Sequence, residues 1–213
     1  MKISAFMVAA ALLAAPAAAL RAEQPAPAEP SELRKLSIED LLEIDVTSVS
    51  RRPEKLSTAA AAITVVTAED IRRSGVANLP DLLRLAPGMQ VAQADGQTWA
   101  ISARGFNNRA ADKLLVLIDG RSVYSPLFAG VFWDAQDTLL ADIDRIEVIR
   151  GPGAALWGAN AVNGVINIIT KSAGETQGGL AYGGTGLHEP GFGALRYGAR
   201  EGEDLAWRAY GKY

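Results

Sequence analysis

"RIEVIRGPGAALWGANAVNGVINIITK", Arg145 to Lys171, is the stretch on which the reading of this chain turns. A β-branched run leads into Gly151-Pro152-Gly153, and glycines placed after a strand are one way to cradle a phosphate on backbone N–H groups. A dinucleotide site also needs a long helix after the turn and an acidic residue about twenty positions on to hold the ribose. Here the segment "AALWGANAVNG" is too broken by glycine for a long helix, and Lys171 stands where the acid is required. No Gly-Lys-Ser or Gly-Lys-Thr follows, so a P-loop is excluded as well. The stretch reads as a strand over Arg145–Arg150, a tight glycine loop carrying Leu156-Trp157-Gly158, and a return strand over Val165–Thr170.

The segments upstream supply the rest of an α+β set. "ITVVT" from Ile63 is a strand; Thr67 then caps a helix with Asp70 at its third position, and Gly75 ends it. A second helix starts at Asn78, is expected to bury Leu79, Leu82, Leu83 and Leu85, and stops at Pro87-Gly88. "MQVAQ" is strand-like, and "KLLVLIDGRSVY" is a hairpin, because Asp119-Gly120 provides the positive φ angles of a type I′ turn. Strands without βαβ alternation disfavour a doubly wound sheet.

Composition limits the function classes. The 213 residues are 49% hydrophobic, enough for one ordinary core, and the net charge of -3 lacks the Lys and Arg surplus that nucleic-acid phosphates require. With no cysteine and only His188, thiolate sites and multi-histidine metal centres are excluded. No catalytic triad or paired acid/base site can be assembled, so no enzyme is expected and no cofactor is implied. Residues 1–22 read as a secretory signal: Lys2, an apolar run Ile3–Leu13, then small residues, with cleavage after Ala19 or Ala22. A membrane anchor is the alternative, but the run falls short of the ~20 residues a spanning helix needs. Residues 23–43 form a Pro-, Ala- and Glu-rich flexible arm with a short helix capped by Ser37. At Ile44 the text changes to β-branched alternation, Ile44, Asp45, Val46, Thr47, Ser48 and Val49. Two readings stand for it: strand addition to a partner, or a first strand of the chain's own sheet.

"VTAEDIRRSG", "LPDLLRLAPGMQV", "ISARGFNNR", "LLVLIDGRSVY" and "DIDRIEVIRGPGAALWGANAVNGVINIITK", in that order, resemble the consecutive signatures of the plug domain of TonB-dependent outer-membrane receptors. The resemblance covers residues 63–172, with 44–62 as TonB-box region and linker. It implies a fold of a small mixed sheet with short helices, followed over 173–213 by the first strands of an incomplete transmembrane antiparallel barrel. The alternation there fits: Leu205, Trp207, Ala209 and Tyr213 share one face, and Ala206, Arg208, Tyr210 and Lys212 the other. A soluble hairpin is the competing reading. "REGED" suits a periplasmic turn and "HEPGF" a loop at the opposite end. A family barrel has about 22 strands, and at ~9 to 11 residues per strand the tail supplies about three. The chain is thus expected to be an N-terminal fragment, with a remnant or soluble periplasmic plug-only module as alternative.

What the resemblance implies is energised uptake of a scarce solute, such as a ferric siderophore or cobalamin, at the outer membrane of a Gram-negative bacterium. The plug sits in the barrel lumen with its N-terminus periplasmic. TonB, with ExbB and ExbD, engages Ile44–Val49, which departs from the commonest box sequence. Arg104 and Arg150 match arginines that pair with barrel carboxylates and hold the plug, and Glu147 joins them. Gln97, Trp99, Tyr124, Phe128 and Trp133 lie in two loops, 93–99 and 125–136 with its flank, that are expected to face outward as a ligand platform. Phe128 and Trp133 could instead pack beneath their own loop.

Overall fold

A computed structural model describes residues 44–48, 52–59, 61–96, 98–107, 113–127, 129–185, 191–202 and 205–213. The expected signal, the arm with its Ser37 helix, and Val49, Gln97, Phe128 and His188 lie outside the described residues. The strands are β1 (Asp45–Val46), β2 (Glu54–Lys55), β3 (Ile63–Thr67), β4 (Met89–Gln93), β5 (Trp99–Ala103), β6 (Leu114–Ile118) and β7 (Arg121–Ser122). After them come β8 (Tyr124–Ser125), β9 (Gly130–Val131), β10 (Ile143–Arg150), β11 (Gly164–Thr170), β12 (Gly178–Gly184), β13 (Phe192–Glu201) and β14 (Leu205–Lys212). Among the described residues three short helices interrupt them: α1 (Ala68–Ser74), α2 (Leu79–Leu82) and α3 (Ala154–Trp157).

The central sheet runs β3-β10-β11-β6-β7. β10 is antiparallel to both β3 and β11, while β11 is parallel to β6, so the sheet is mixed. Alternation along β10 and β11 separates two buried faces. Ile146, Val148, Ile166 and Ile168, with Val116 and Leu114 of β6, enter the main core beneath α1 and α2. Val165 and Ile149, with Leu115 and Leu117, form a smaller cluster on the other face. Each fully buried Ile or Leu contributes roughly 1.5–3 kcal/mol, so β10 and β11 hold the fold from both sides. Gly164 is required where they meet, because a Cβ there would lie 2.5 Å from the Ile149 carbonyl oxygen.

Local signals form as the sequence dictates. Thr67 and Asp70 close a full capping box on α1, the Asp70 carboxylate accepting from the Thr67 N–H at 2.9 Å. Such a cap contributes about 1 kcal/mol. Asp119 and Gly120 have φ of 49° and 77° and join β6 to β7. The expected second arm of that hairpin is short, however: after Ser122 the chain leaves for a separate two-stranded ladder, β8 with β9. The second helix also differs. α2 continues as a 3-10 turn, Leu83–Leu85, and Leu85 is 40% exposed. The buried stripe is Leu79, Leu82, Leu83 and Ala86, the i, i+3, i+4, i+7 set, which leaves Leu85 off its face.

The opening glycine loop is a structural turn. The Gly151 N–H donates to the Asn163 carbonyl at 2.8 Å and the Gly153 N–H to that of Ala161 at 2.9 Å. Both are therefore committed within the loop and none is left to cradle a phosphate.

Beyond the central sheet, β12, β13 and β14 form a separate antiparallel meander that does not close. Its register places Leu195 opposite Gly211, Tyr197 opposite Ala209 and Ala199 opposite Trp207. Leu195, Tyr197, Leu205 and Trp207 accordingly share the outward face and are all exposed. The rings of Tyr197 and Trp207 lie 6.0 Å apart there. Arg196, Arg208 and Lys212 occupy the inward face. Among the described residues no helix is long and apolar enough to cross a membrane, a test that does not concern strands.

Candidate functional site

Two polar clusters sit on or beside β10, one toward the N-terminal segment and one toward the meander. The first is built around Glu147, whose side chain is completely buried. β10 and β11 place Glu147 directly opposite Asn167, on the face that carries the smaller apolar cluster. Segment 44–48 lies across this pair. The Glu147 carboxylate accepts the Thr47 N–H at 3.0 Å, the Ser48 N–H at 2.8 Å and the Thr47 hydroxyl at 3.4 Å. Arg145 Nε donates to its other oxygen at 2.9 Å. Asn167 donates to the Ser48 hydroxyl at 3.1 Å, and the Trp157 indole donates to the Ser48 carbonyl at 2.7 Å. Burial works against the charge on Arg145, but hydrogen bonds to Asp144 and Glu147 outweigh it and hold the guanidinium above its ordinary pKa. A buried carboxylate without such partners would be costly; here four donors serve it.

Ile44–Ser48, expected as the TonB-binding segment together with Val49, is thus fastened to the plug. Asp45 and Val46 pair with Lys55 and Glu54 of β2, and Val46 is fully buried. Of the two readings left open by its alternation, own-strand pairing is the arrangement seen in this structure. Glu147, expected to join the plug-barrel lock, is committed to this segment.

The second cluster joins plug to meander. Asp142, 1% exposed, pairs with Arg196 of β13, and its second oxygen lies 3.7 Å from Arg208 Nη1 of β14. Arg208 also donates to the Lys171 carbonyl at 2.6 Å and the Thr170 hydroxyl at 3.2 Å. Lys212 pairs with Asp137. Every inward cation of the meander named above meets a plug carboxylate. None of these partners was anticipated; the inward placement of Arg208 and Lys212 follows from alternation, but nothing in the sequence marks Asp142 or Asp137 as the receiving groups.

The Arg104 guanidinium lies against Gly151 and that of Arg150 against Gly88. A Cβ on Gly151 would meet the Arg104 guanidinium at 3.2 Å, and one on Gly88 would meet that of Arg150 at 3.2 Å. Arg104 itself has φ of 56°, a left-handed conformation rare outside glycine. Among the described residues neither arginine has a carboxylate partner, and the buried Nε of Arg150 has no hydrogen bond.

The expected ligand platform is not assembled by its indoles. Trp99 is 8% and Trp133 3% exposed, both within the main core. Trp99 begins β5 and its alternation turns it inward; Trp133 follows β9 and packs into the same core. Tyr124 is half-buried in β8. The exposed large apolar side chains in this region are Phe106, Leu127 and Phe132, none of which the sequence singled out. No group of three or more His, Cys, Asp or Glu among the described residues is placed to hold a metal ion.

Comparison with known proteins agrees with this architecture. The chain is 36% identical over 143 residues to the vitamin B12 transporter BtuB of Vibrio cholerae serotype O1, covering 66% of this chain and 23% of that protein. Among solved structures it resembles the Pseudomonas aeruginosa siderophore receptor PirA, with a TM-score of 0.53 and 30% identity over 72% of this chain and 27% of the other. The P. aeruginosa receptor FpvA, bound to a heterologous pyoverdine, shares the fold at a TM-score of 0.62, 24% identity and coverage of 79% and 22%. The chain therefore spans about a quarter of the length of these relatives. Residues 55–165 match the TonB-dependent Receptor Plug Domain, and with the mixed sheet and short helices described above this chain belongs to that family.

Proposed function

We propose that this chain is the plug-bearing part of an outer-membrane receptor that imports a bulky metal chelate, of the ferric-siderophore or cobalamin class, using energy delivered by TonB with ExbB and ExbD. The observation that carries the reading is the two-faced meander. Its outward face exposes Leu195, Tyr197, Leu205 and Trp207, and its inward arginines grip the plug through Asp142. Apolar side chains toward lipid and polar ones toward the lumen are what an outer-membrane barrel strand requires. A soluble hairpin has no use for that exposed face.

The relatives' names supply the ligand class: vitamin B12 for BtuB and siderophores for PirA. Both are large chelates that carry their own metal coordination, so the plug needs no metal site. Arg104 and Arg150, lacking carboxylate partners among the described residues, suit pairing with carboxylates of further barrel strands. Tyr124 and the neighbouring loop reach the ligand, while Trp99 and Trp133 shape that surface from beneath. Ile44–Val49 is the segment that TonB takes up by strand addition, which reads main-chain hydrogen bonds and tolerates sequence variation.

Uptake of radiolabelled cobalamin and of ferric siderophores by cells producing the full-length receptor tests this. Import of one class, lost when the proton-motive force is dissipated and lost in Val46→Pro with ligand binding retained, is expected. Normal import by Val46→Pro would remove Ile44–Val49 from the coupling role, and absence of energy-dependent import of either class would overturn the function.

A further inference from the structure

The inward face of the meander carries one more cation than the ion pairs above account for. Arg200 alternates onto the same side of β13 as Arg196, and its guanidinium reaches to 3.4 Å from where a Cβ on Gly174 would stand. The strand register then sets four cations in a staircase. Lys212 lies opposite Ala194, Arg196 opposite Tyr210, Arg208 opposite Gly198 and Arg200 opposite Ala206. Each level holds one cation, taken alternately from β14 and β13, and all the facing residues but Tyr210 are small. Two residues of strand rise about 7 Å, so the staircase spans about 20 Å of the wall.

Two plug carboxylates face this row of like charges: Asp142 at Arg196 and Arg208, and Asp137 at Lys212. Among the described residues Arg200 has no carboxylate partner. The match is incomplete in detail as well, because the buried Nε of Arg196 and one buried oxygen of Asp142 have no hydrogen bond. A cavity adjoins each end of the row. One of about 860 Å³, between α1 and the meander, is bordered by Lys212 and Lys171 with Ile71, Tyr182 and Phe192. The other, of about 600 Å³, is bordered by Arg208, Lys171 and Arg145. Its acids are engaged: Asp119 accepts from Thr170, Asp144 pairs with Arg145, and Glu175 accepts from Ser172. Lys171 borders both cavities, and the Asp142 ion cluster closes the row between them.

We propose that Lys212, Arg196, Arg208 and Arg200 form a track down the inner wall for an anionic metal chelate, on which Asp142 and Asp137 keep the cations paired until oxygens of the chelate replace them. The inference rests on the import role given above and narrows its ligand to a chelate of net negative charge. A carboxylate or catecholate oxygen offers Arg196 and Lys212 the same charge-assisted hydrogen bond that the plug carboxylates offer. Exchange of one acceptor for the other therefore never leaves a cation bare, and bare cations in a water-poor seam are costly. A neutral ligand brings no charge to exchange. Fastening the plug gives no use to Arg200, at whose level the plug presents no carboxylate; a track that continues toward the 202–205 turn does.

Cells producing the full-length receptor are given three radiolabelled probes: an anionic ferric tricatecholate, a neutral ferric trihydroxamate and neutral cyanocobalamin. Energy-dependent import of the anionic chelate is expected. Arg200 is exposed, so its variants are expected to fold and reach the membrane. Arg200→Gln should slow import of the bound anionic chelate about two- to fivefold, the scale of a partly solvated ion pair, with its Kd at the cell surface unchanged. Arg200→Glu should slow it about tenfold or more, because like charges then meet, and Arg200→Lys should import as wild type does. Any neutral probe that is imported should be unaffected by all three variants. Import of neutral probes alone overturns the track and leaves the import function standing. So does unchanged anionic import in Arg200→Gln and Arg200→Glu, equal slowing of anionic and neutral probes, or failure of Arg200→Lys to restore the rate. Absence of energy-dependent import of all three probes overturns the import function itself, and the track with it.

Discussion

Replacement of Asp142 by alanine is the sharpest test of how plug and wall are joined. Asp142 is 1% exposed and is shared by Arg196 and Arg208, whose side chains are 12% and 18% exposed. Removing the carboxylate leaves two largely buried guanidinium groups facing each other without their counter-charge. Breaking a buried pair from one side costs about 3–5 kcal/mol, and partial access of water to the arginines argues for the lower end, about 3 kcal/mol. For a protein of this size a change of 1 kcal/mol moves the melting temperature by roughly 2–4 °C, so Asp142→Ala should lower it by about 6–12 °C. The assay is thermal unfolding in detergent, followed by circular dichroism at low and at 1 M salt. The shift should persist in high salt, because buried pairs are screened little. A triple variant, Asp142→Leu with Arg196→Met and Arg208→Met, should recover most of the loss, since apolar groups of similar volume replace a buried ion cluster at little net cost. A shift below about 2 °C for Asp142→Ala, or one abolished by salt, would refute the reasoning and reduce the cluster to surface charge.

Other outcomes follow from single features of the fold. Gly164→Ala should destabilise by about 1–3 kcal/mol, the range for overpacking, because its Cβ would meet the Ile149 carbonyl at 2.5 Å; a urea midpoint equal to that of wild type would refute the close approach. Arg150→Ala and Arg104→Ala in the full-length receptor should raise leakage of large hydrophilic solutes, read as antibiotic sensitivity, and unchanged permeability would remove them from the lock. Hydrogen bonds from the Ser172 side chain and backbone hold the Glu175 carboxyl below its ordinary pKa of 4.5. Its folded value is depressed, so its stabilisation is present above the unfolded value and is lost as pH falls through the folded one. Glu175→Gln should therefore flatten the decline of melting temperature below about pH 4.5 and change little at neutral pH; identical profiles would contradict it.

What the amino-acid sequence determined by itself was everything whose cause lies within a few residues. Thr67 with Asp70 caps α1, Asp119-Gly120 turns β6 into β7, and alternate residues from Leu205 divide into an exposed apolar face and an inward charged one. These depend on backbone dihedrals, local hydrogen bonds and a period of two, all of which are written in order along the chain. The family signatures from Ile63 to Lys171 are legible for the same reason, since each marks a turn or an alternating strand. The tertiary structure alone decided where the long-range polar partners lie. Glu147 reads as one more lock residue in sequence, yet it serves Thr47 and Ser48, 100 and 99 positions away. Asp142 finds Arg196 only because the register of β13 and β14 aims their inward side chains at the 3-10 turn before β10. Trp99 and Trp133, which look like loop aromatics, are in the core. Whether a polar side chain is buried, and against what, is a property of how distant strands are stacked, and that information is absent from any short window of the chain.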